Sequence, residues 1–353
     1  MYSLSYKIKL NKDGYEPFLD FLKGVCIIFV ILTHCISPSL RKYSLFCLWG
    51  DMAVPLFLVV QVFQTYKRGT KNIKINIAKL LKRIVIPFLI AQACGVAILS
   101  FVGGISLLSS LRQFGGIGPG DYFPYIYIQF TILLSFLSPF FDKNKEMVIA
   151  SFFILVSELL ELACIYLSVG LHFYIFSFFR YTFLIYLGWL LANDRIQQNL
   201  ITYILTLVSV VFILSFDGII QLGVVNLSSV FYDKTFAIFH WISYFYVLFF
   251  FLFIIYDCYR LLQKYHFLNG FNRFLMLCGK YSYEIFLFQM IFFLISAVNI
   301  LFLRFGWRIS PWLEPIVLVL NVLCCTVPIF ILKNILKSFF KDRKYKTDLL
   351  IHL

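Results

Sequence analysis

Charged residues are scarce in this sequence. Asp, Glu, Lys and Arg together make up 14% of its 353 residues, and 61% of the residues are hydrophobic. Soluble domains carry about a quarter of charged residues, so a chain of this composition does not bury its apolar surface in one water-soluble core. The composition predicts an all-α, polytopic membrane protein.

The sequence also lacks several patterns that would point to other classes of protein. It contains no internal repeat and no low-complexity segment, and its nine Cys show no CxxC spacing. Because most of these Cys lie within or beside apolar runs, we interpret them as small hydrophobic residues, with neither a disulfide framework nor a metal site. No small-residue cleavage site follows the first apolar run, so we expect this run to be retained as a transmembrane helix.

Ten apolar runs of about twenty residues are each long enough to cross a bilayer. No soluble domain fits between them, so we expect a single integral membrane domain over residues 1–353, spanning from about 18 to 335, with no soluble extension. The runs lie near 18–37, 45–66, 82–102, 122–141, 147–167, 172–192, 199–220, 236–258, 281–303 and 313–335.

Positive charge lies mainly on one side of the predicted topology. Most of the 31 Lys and Arg fall in the termini and in every second connecting segment, which places both termini in the cytoplasm. A net charge of +14 therefore needs no nucleic-acid partner to explain it. The alternate segments hold Arg41, Lys42, Arg112, Lys234, Arg304 and Arg308.

The first apolar run carries polar residues on one helical face. Lys23 and His34 are eleven residues apart, which returns to nearly the same direction on an α-helix and rises about 16 Å. Asp20 precedes Lys23 by three residues, and Ile27 and Ile31 complete this stripe. With the N-terminus inside, Lys23 lies near the cytoplasmic boundary and His34 lies toward the outer side.

Each of these two residues has two readings. Lys23 either serves the site or is an interfacial lysine whose amine reaches anionic headgroups. His34 is either a buried histidine that hydrogen-bonds a neighbouring helix or a general base, because histidine titrates near neutral pH. Polar groups inside a bilayer usually face a protein interior or an aqueous cavity.

Further polar residues collect at the outer level of the predicted spans. They indicate a polar cavity that opens outward and reaches His34. Two other interpretations stay open: Glu158 or Glu161 neutralises Arg180, and Asp51 lies at the water boundary. The residues at this level are Asp51, Tyr122, Glu158, Glu161, His172, Arg180 and His240.

A basic residue, ten residues and then His, after the entry LDFLKG, resembles the acyltransferase-3 family of membrane acyltransferases, which are mostly O-acetylases of bacterial surface polysaccharides. Further stretches are similar to family segments in the same order, over about 16–335. They are VPLFLVVQVF (54–63), KLLKRIVIPFLI (79–90), DYFPYIYIQF (121–130), RYTFLIYLGWLLA (180–192) and CGKYSYEIFLFQM (278–290).

The sequence departs from the family pattern at several positions. Lys23 stands where the family usually has Arg, which keeps the charge but loses the bidentate fork. Gln61 and Val62 replace a small polar residue and Gly, and Gln289 stands at a common His. No esterase-like domain follows the spans, so we expect a stand-alone transferase.

The resemblance implies a donor, an acceptor and a set of roles. Acetyl-CoA would bind from the cytoplasm, its phosphates held first by Lys23 and then by Lys82 and Arg83. His34 would be the general base for a hydroxyl of a glycan or glycolipid acceptor in a bacterial cytoplasmic membrane, with no metal ion. The remaining roles are an imidazole-orienting carboxylate from Asp51, Glu158 or Glu161, Arg180 for the acceptor or the oxyanion, and acceptor binding by Tyr122, Glu161, His172 and His240.

Two other functions compete with this one. Intramembrane Lys, His, Glu and Arg also suit a transporter or flippase for lipid-linked sugars, although the chain shows no repeat symmetry. The third reading is a structural or sensor membrane protein. The sequence names neither the acceptor nor the oligomeric state.

Overall fold

The computed structural model describes residues 16–68, 73–101, 120–137, 141, 145–193, 200–217, 219, 239–295 and 312–351. Within these ranges the chain is helical or lies in turns and short connections, and it contains no strand. The prediction of an all-α protein is therefore confirmed for this part of the chain.

Fifteen α-helices, numbered here in chain order, make up most of the described residues. Two π-helical segments, Leu81–Val85 and Phe250–Ile255, join α4 to α5 and α11 to α12. The helices are Pro17–Thr33 (α1), Pro38–Tyr43 (α2), Ala53–Arg68 (α3), Ile73–Leu80 (α4), Ile86–Phe101 (α5), Tyr122–Leu137 (α6), Glu146–Tyr166 (α7), Leu171–Ile175 (α8), Phe183–Ala192 (α9), Leu200–Phe216 (α10), Tyr244–Phe249 (α11), Tyr256–Lys264 (α12), Asn269–Lys280 (α13), Ser282–Ile295 (α14) and Glu314–Ile351 (α15).

Four helical stretches among the described residues are long and apolar enough to cross a membrane, judged by length and composition. They are Phe46–Lys67, Ile77–Phe101, Glu146–Tyr166 and Glu314–Phe339. Each of the ten predicted runs contains at least one helix, but ten crossings and a cytoplasmic location of both termini stay predictions. Most of the predicted loops 103–121 and 221–235, and the end of the run 281–303, lie outside the described residues.

Helix α1 lies in the centre of the helical assembly. Pro17 occupies its first turn, where the missing N–H costs no helical hydrogen bond. Its buried positions fall on all sides of the helix, which is the pattern of a helix enclosed by protein. It packs against α3, α13, α14 and α15. The buried residues are Phe18, Leu19, Phe21, Leu22, Gly24, Cys26, Ile27, Val30 and Ile31.

The crossing of α1 and α13 depends on two glycines. A Cβ atom on Gly24 would overlap the carbonyl oxygen of Leu275 in α13. A Cβ atom on Gly279 would overlap the carbonyl oxygen of Asp20 in α1. Only glycine permits this backbone approach, and the crossing lies directly beside Lys23.

The predicted span 172–192 is not one continuous helix, and whether it crosses the membrane stays a prediction. The chain forms α8, then a turn, then a short 3-10 helix at Phe179–Tyr181, and only then α9. The side chain of Gln129 in α6 holds the break: its Nε2 donates to the Phe176 carbonyl at 2.7 Å, and its Oε1 accepts from the Phe178 N–H at 2.9 Å. These bonds replace helical hydrogen bonds that the break removes.

Candidate functional site

A cavity of about 540 Å³ lies among the helices that surround α1. Lys23, Ile27, Val30, Thr33 and His34 line it from α1, so Lys23 and His34 of the predicted stripe reach one cavity, whereas Asp20 does not line it. Ile31, predicted as part of the stripe, is instead buried in the core. The volume lies within the usual range of ligand sites, about 300–1,000 Å³.

The cavity has two ends along the axis of α1. At the first, which we call the Lys23 end, the wall includes Lys23, Gln64, Ile84 and Tyr283. Lys23 Nζ donates to Asp20 Oδ1 at 2.9 Å, and the Lys23 side chain is 24% exposed. Tyr283 Oη donates to the Ile84 carbonyl at 2.8 Å. Ile84 belongs to the π-helical segment, where the altered bonding frees backbone carbonyls for such partners.

Lys82 and Arg83 lie on that same π-helical segment, Leu81–Val85. Both side chains are exposed, and neither lines the cavity. They therefore flank the Lys23 end from outside. Their predicted contact with the donor stays a prediction.

His34 lies in the middle of the cavity wall, just after the last residue of α1. Gly120 covers the imidazole: a Cβ atom added there would lie 3.4 Å from His34 Nε2 and 3.3 Å from a ring carbon of Phe286. Gly120 has a φ of +85°, a backbone conformation that L-residues with side chains rarely adopt. A residue without a side chain therefore covers the proposed base.

The second end of the cavity, the Arg180 end, is built from three short 3-10 segments. Each segment precedes an α-helix, with at most one residue between them, and carries one of the predicted residues: Asp51 in Gly50–Met52, Arg180 in Phe179–Tyr181 and His240 in His240–Ser243. All three residues line the cavity. The sequence predicted these residues but not the backbone that presents them.

Two polar pairs organise the Arg180 end. Arg41 Nη2 donates to both carboxylate oxygens of Asp51, at 2.7 and 2.6 Å. Arg180 Nε donates to His240 Nε2 at 3.0 Å. Tyr244 Oη donates to the Arg180 carbonyl at 2.7 Å, which fixes the backbone of the 3-10 segment. Tyr122 and Tyr181 complete an aromatic wall here.

Glu158 and Glu161 do not line the cavity. Glu158 accepts the backbone N–H of Phe239 at 2.9 Å. Glu161 is buried and accepts from the hydroxyl of Tyr174. Among the described residues, neither carboxylate forms an ion pair with Arg180 or a hydrogen bond with His34. Residue 172 lies in α8, and its side chain lies outside the described part of the structure.

Several wall residues were not singled out from the sequence. Arg41 was assigned to a connecting segment, and only the fold brings it to Asp51. Gln61 donates to the Tyr127 carbonyl and to Thr131 Oγ1, at 3.0 and 2.7 Å. An amide within an apolar run is itself a signal of an interior site, and Gln61 and Gln64 both carried that signal.

The helices and the enclosed polar cavity define a helical membrane protein with an internal site. The acyltransferase-3 family model, described as an acyltransferase domain, matches residues 16–332. The chain therefore belongs to this family of acyltransferases, as its motifs predicted. No curated protein and no solved structure matches the chain. Among the described residues, no group of three or more His, Cys, Asp or Glu is placed to hold a metal ion.

Proposed function

We propose that this protein transfers an acetyl group from acetyl-CoA to a hydroxyl of a cell-surface glycan or its precursor. The observation that carries the proposal is that Lys23 and His34 line one cavity from the same helix. A cation and a proton acceptor about 16 Å apart suit a donor with charged phosphates at one end and a reactive thioester at the other. The family assignment favours this activity over a sugar-lipid transporter.

The donor would enter at the Lys23 end. Lys23 would hold a phosphate by a charge-assisted hydrogen bond, with Lys82 and Arg83 as outer contacts. The thin pantetheine arm would follow the wall past Ile27 and Val30 to bring the thioester to His34. In this orientation the Lys23 end faces the cytoplasm of a bacterial cell, and the Arg180 end faces the acceptor.

His34 would act as the general base. The acceptor oxygen attacks the thioester carbonyl carbon while His34 removes the hydroxyl proton. A carbon–oxygen bond forms, the carbon–sulfur bond breaks, and the departing thiolate takes the proton back from His34. The products are an acetyl ester and CoA, and the imidazole returns to its starting state.

The test of this function uses membranes that contain the full chain and acetyl-CoA labelled on the acetyl group. The expected result is label in the cell-envelope glycan fraction, matched one to one by released CoA thiol. Removal of the glycan fraction should stop both. Glycan movement without any consumption of acetyl-CoA would support a transporter instead and would overturn the proposal.

Replacing Lys23 with Met is expected to raise the KM for acetyl-CoA about tenfold or more, with a smaller effect on kcat. The reason is the loss of a charge-assisted contact, worth about 1.5–3 kcal/mol. Lys23→Arg should stay near wild type because it keeps the charge. Lys264→Met, at the exposed end of α12, is the matched control. An unchanged KM in Lys23→Met would remove Lys23 from donor binding.

Replacing Gly120 with Ala is expected to slow acetyl transfer severalfold. The new Cβ would lie 3.4 Å from His34 Nε2 in a backbone conformation that costs an L-residue about 1–2 kcal/mol. Gly170→Ala is the control, because no atom lies within 4 Å of its added Cβ. Initial rates at saturating donor, with thermal unfolding midpoints as a check on folding, measure the effect. Equal rates for both variants would show that Gly120 does not limit access to His34.

A further inference from the structure

Arg180 differs from the other cations of the cavity. Three Lys or Arg side chains line the described wall: Lys23, Arg41 and Arg180. The first two each pair with a carboxylate, at 2.9 and 2.6 Å. Among the described residues, Arg180 makes no ion pair with a carboxylate. Because a buried or half-buried cation is costly without an anion, this position points to a partner that the described residues do not supply.

The contacts that Arg180 makes with described residues leave the two terminal nitrogens of its guanidinium group available. Its Nε is used by His240 Nε2, and its guanidinium carbon lies 5.8 Å from the centre of the Tyr181 ring. Both partners are uncharged surfaces, and they orient the plane of the guanidinium. Within the described part of the chain, Nη1 and Nη2, the two terminal nitrogens, form no hydrogen bond. Two such parallel N–H donors match a carboxylate or a phosphate in bidentate geometry.

The other acidic groups nearby have partners of their own. Both carboxylate oxygens of Asp51 accept from Arg41. Glu161 accepts from Tyr174, and Glu158 accepts from the backbone of Phe239. Asp217 also lines the wall, but its side chain is exposed. Glu161 and Asp51 interact with the Arg180 charge over a longer distance, but among the described residues no carboxylate forms an ion pair with its guanidinium group.

The ligand at this end is the acceptor in the proposed reaction. The phosphates of the donor lie at the Lys23 end, and the thioester lies at His34, so neither reaches Arg180. Arg180 is bonded to His240 and not to His34, which places its charge on the acceptor side of the base. The flat faces of Tyr122, Tyr181 and Tyr244 beside it suit the body of a sugar ring.

We propose that the acceptor is an acidic glycan whose bound sugar carries an anionic group, a carboxylate or a phosphate, that pairs with Nη1 and Nη2 of Arg180. This inference rests on the proposed function, because it assigns the charge of the substrate at the same site. The aromatic wall holds the ring, and Arg180 sets which hydroxyl of that ring faces His34.

Binding of matched probes to the full-length protein in lipid nanodiscs tests the inference. The probes are trigalacturonic acid, its methyl ester, which has the same size without the charge, and a trisaccharide with a terminal 6-phosphate. The expected result is that one of the anionic probes binds at least tenfold more tightly than the ester and that the preference shrinks with added salt. The stronger anionic probe identifies the anion.

Variants test whether the preference for an anionic probe over the methyl ester depends on Arg180. Arg180→Gln should reduce the ratio of the affinities for the anionic probe and the ester to near one. Arg180→Lys should keep part of this preference. Arg260→Gln removes an exposed arginine outside the cavity and should keep all of it. Equal binding of ester and acid by the wild type, or an anion preference that survives in Arg180→Gln, would overturn the inference. The anion preference of the wild type and its decrease with salt are measured as well. The result therefore does not depend on a variant that folds poorly.

The labelled transfer assay separates this inference from the proposed function. Acetyl transfer to neutral glycans, together with no anion preference, would overturn the inference alone. An anion preference at Arg180 without any consumption of acetyl-CoA would overturn the proposed reaction, and with it the identity of the bound anion as an acceptor.

Discussion

Replacing His34 with Ala lowers kcat for acetyl transfer by about two to four orders of magnitude, the usual contribution of a positioned general base. His34 lines the middle of the cavity, between the Lys23 end and the Arg180 end. Without the imidazole, the acceptor hydroxyl must attack while it still holds its proton. Donor binding should change little, because Lys23, the proposed contact of the donor phosphates, lies about 16 Å away along α1.

The measurement is the initial rate of label transfer, with KM for acetyl-CoA determined in parallel. His34→Gln keeps a polar side chain of similar size but cannot take the proton, so it should be as slow as His34→Ala. His266→Ala is the matched control, because His266 is exposed in a 3-10 turn outside the cavity. A His34→Ala protein that retained normal kcat would exclude His34 as the base.

Replacing Gly279 with Ala destabilises the protein by about 2 kcal/mol or more, the largest effect on folding that we expect from one methyl group. Its Cβ would overlap the Asp20 carbonyl, and a backbone atom cannot move aside as a side chain does. The helices α1 and α13 must therefore separate. Gly24→Ala should behave in the same way, because its Cβ would overlap the Leu275 carbonyl.

The control for this effect lies on the same helix. Gly270, near the start of α13, has no atom within 4 Å of an added Cβ. Both Gly270→Ala and Gly279→Ala gain helix propensity, about 1 kcal/mol in a helix interior. The difference in stability between the two variants therefore reports the cost of the overlap at the crossing. Thermal unfolding followed by size-exclusion chromatography in detergent measures it. Equal midpoints for the two variants would show that the helices do not approach this closely.

Separation of α1 and α13 would also displace Lys23, which lines the cavity. Asp20 and Gly24 flank Lys23, and both take part in the crossing. We therefore expect any folded Gly279→Ala protein to show a higher KM for acetyl-CoA than Gly270→Ala. The crossing thus fixes the position of Lys23 at the proposed entrance for the donor.

The sequence alone predicted the parts of the site that depend on regular helices. Lys23 and His34 share a cavity because eleven residues bring a helix back to the same face. The family motifs predicted the acyltransferase assignment. The first prediction uses helical periodicity, and the second uses the resemblance of local motifs to those of the family.

The parts that could not be predicted depend on broken helices and on distant partners. The run 172–192 is mostly apolar, and the polar residues within it, such as Ser177, Arg180 and Thr182, do not by themselves mark a break in a helix. The amide of Gln129, on another helix, holds the break open. The pairing of Arg41 with Asp51 likewise needs two 3-10 turns between α2 and α3, which hydrophobic periodicity does not reveal.

The hydrogen bonds of Gln129 connect α6 to the segment that precedes Arg180, while the start of α6 lies beside His34. The helix starts two residues after Gly120, which covers His34, and its first residue, Tyr122, lies on the aromatic wall. Two turns further along, the side chain of Gln129 forms hydrogen bonds with the backbone of the segment that precedes Arg180. Any displacement of α6 would therefore act on the residue that covers His34 and on the segment that carries Arg180 at the same time.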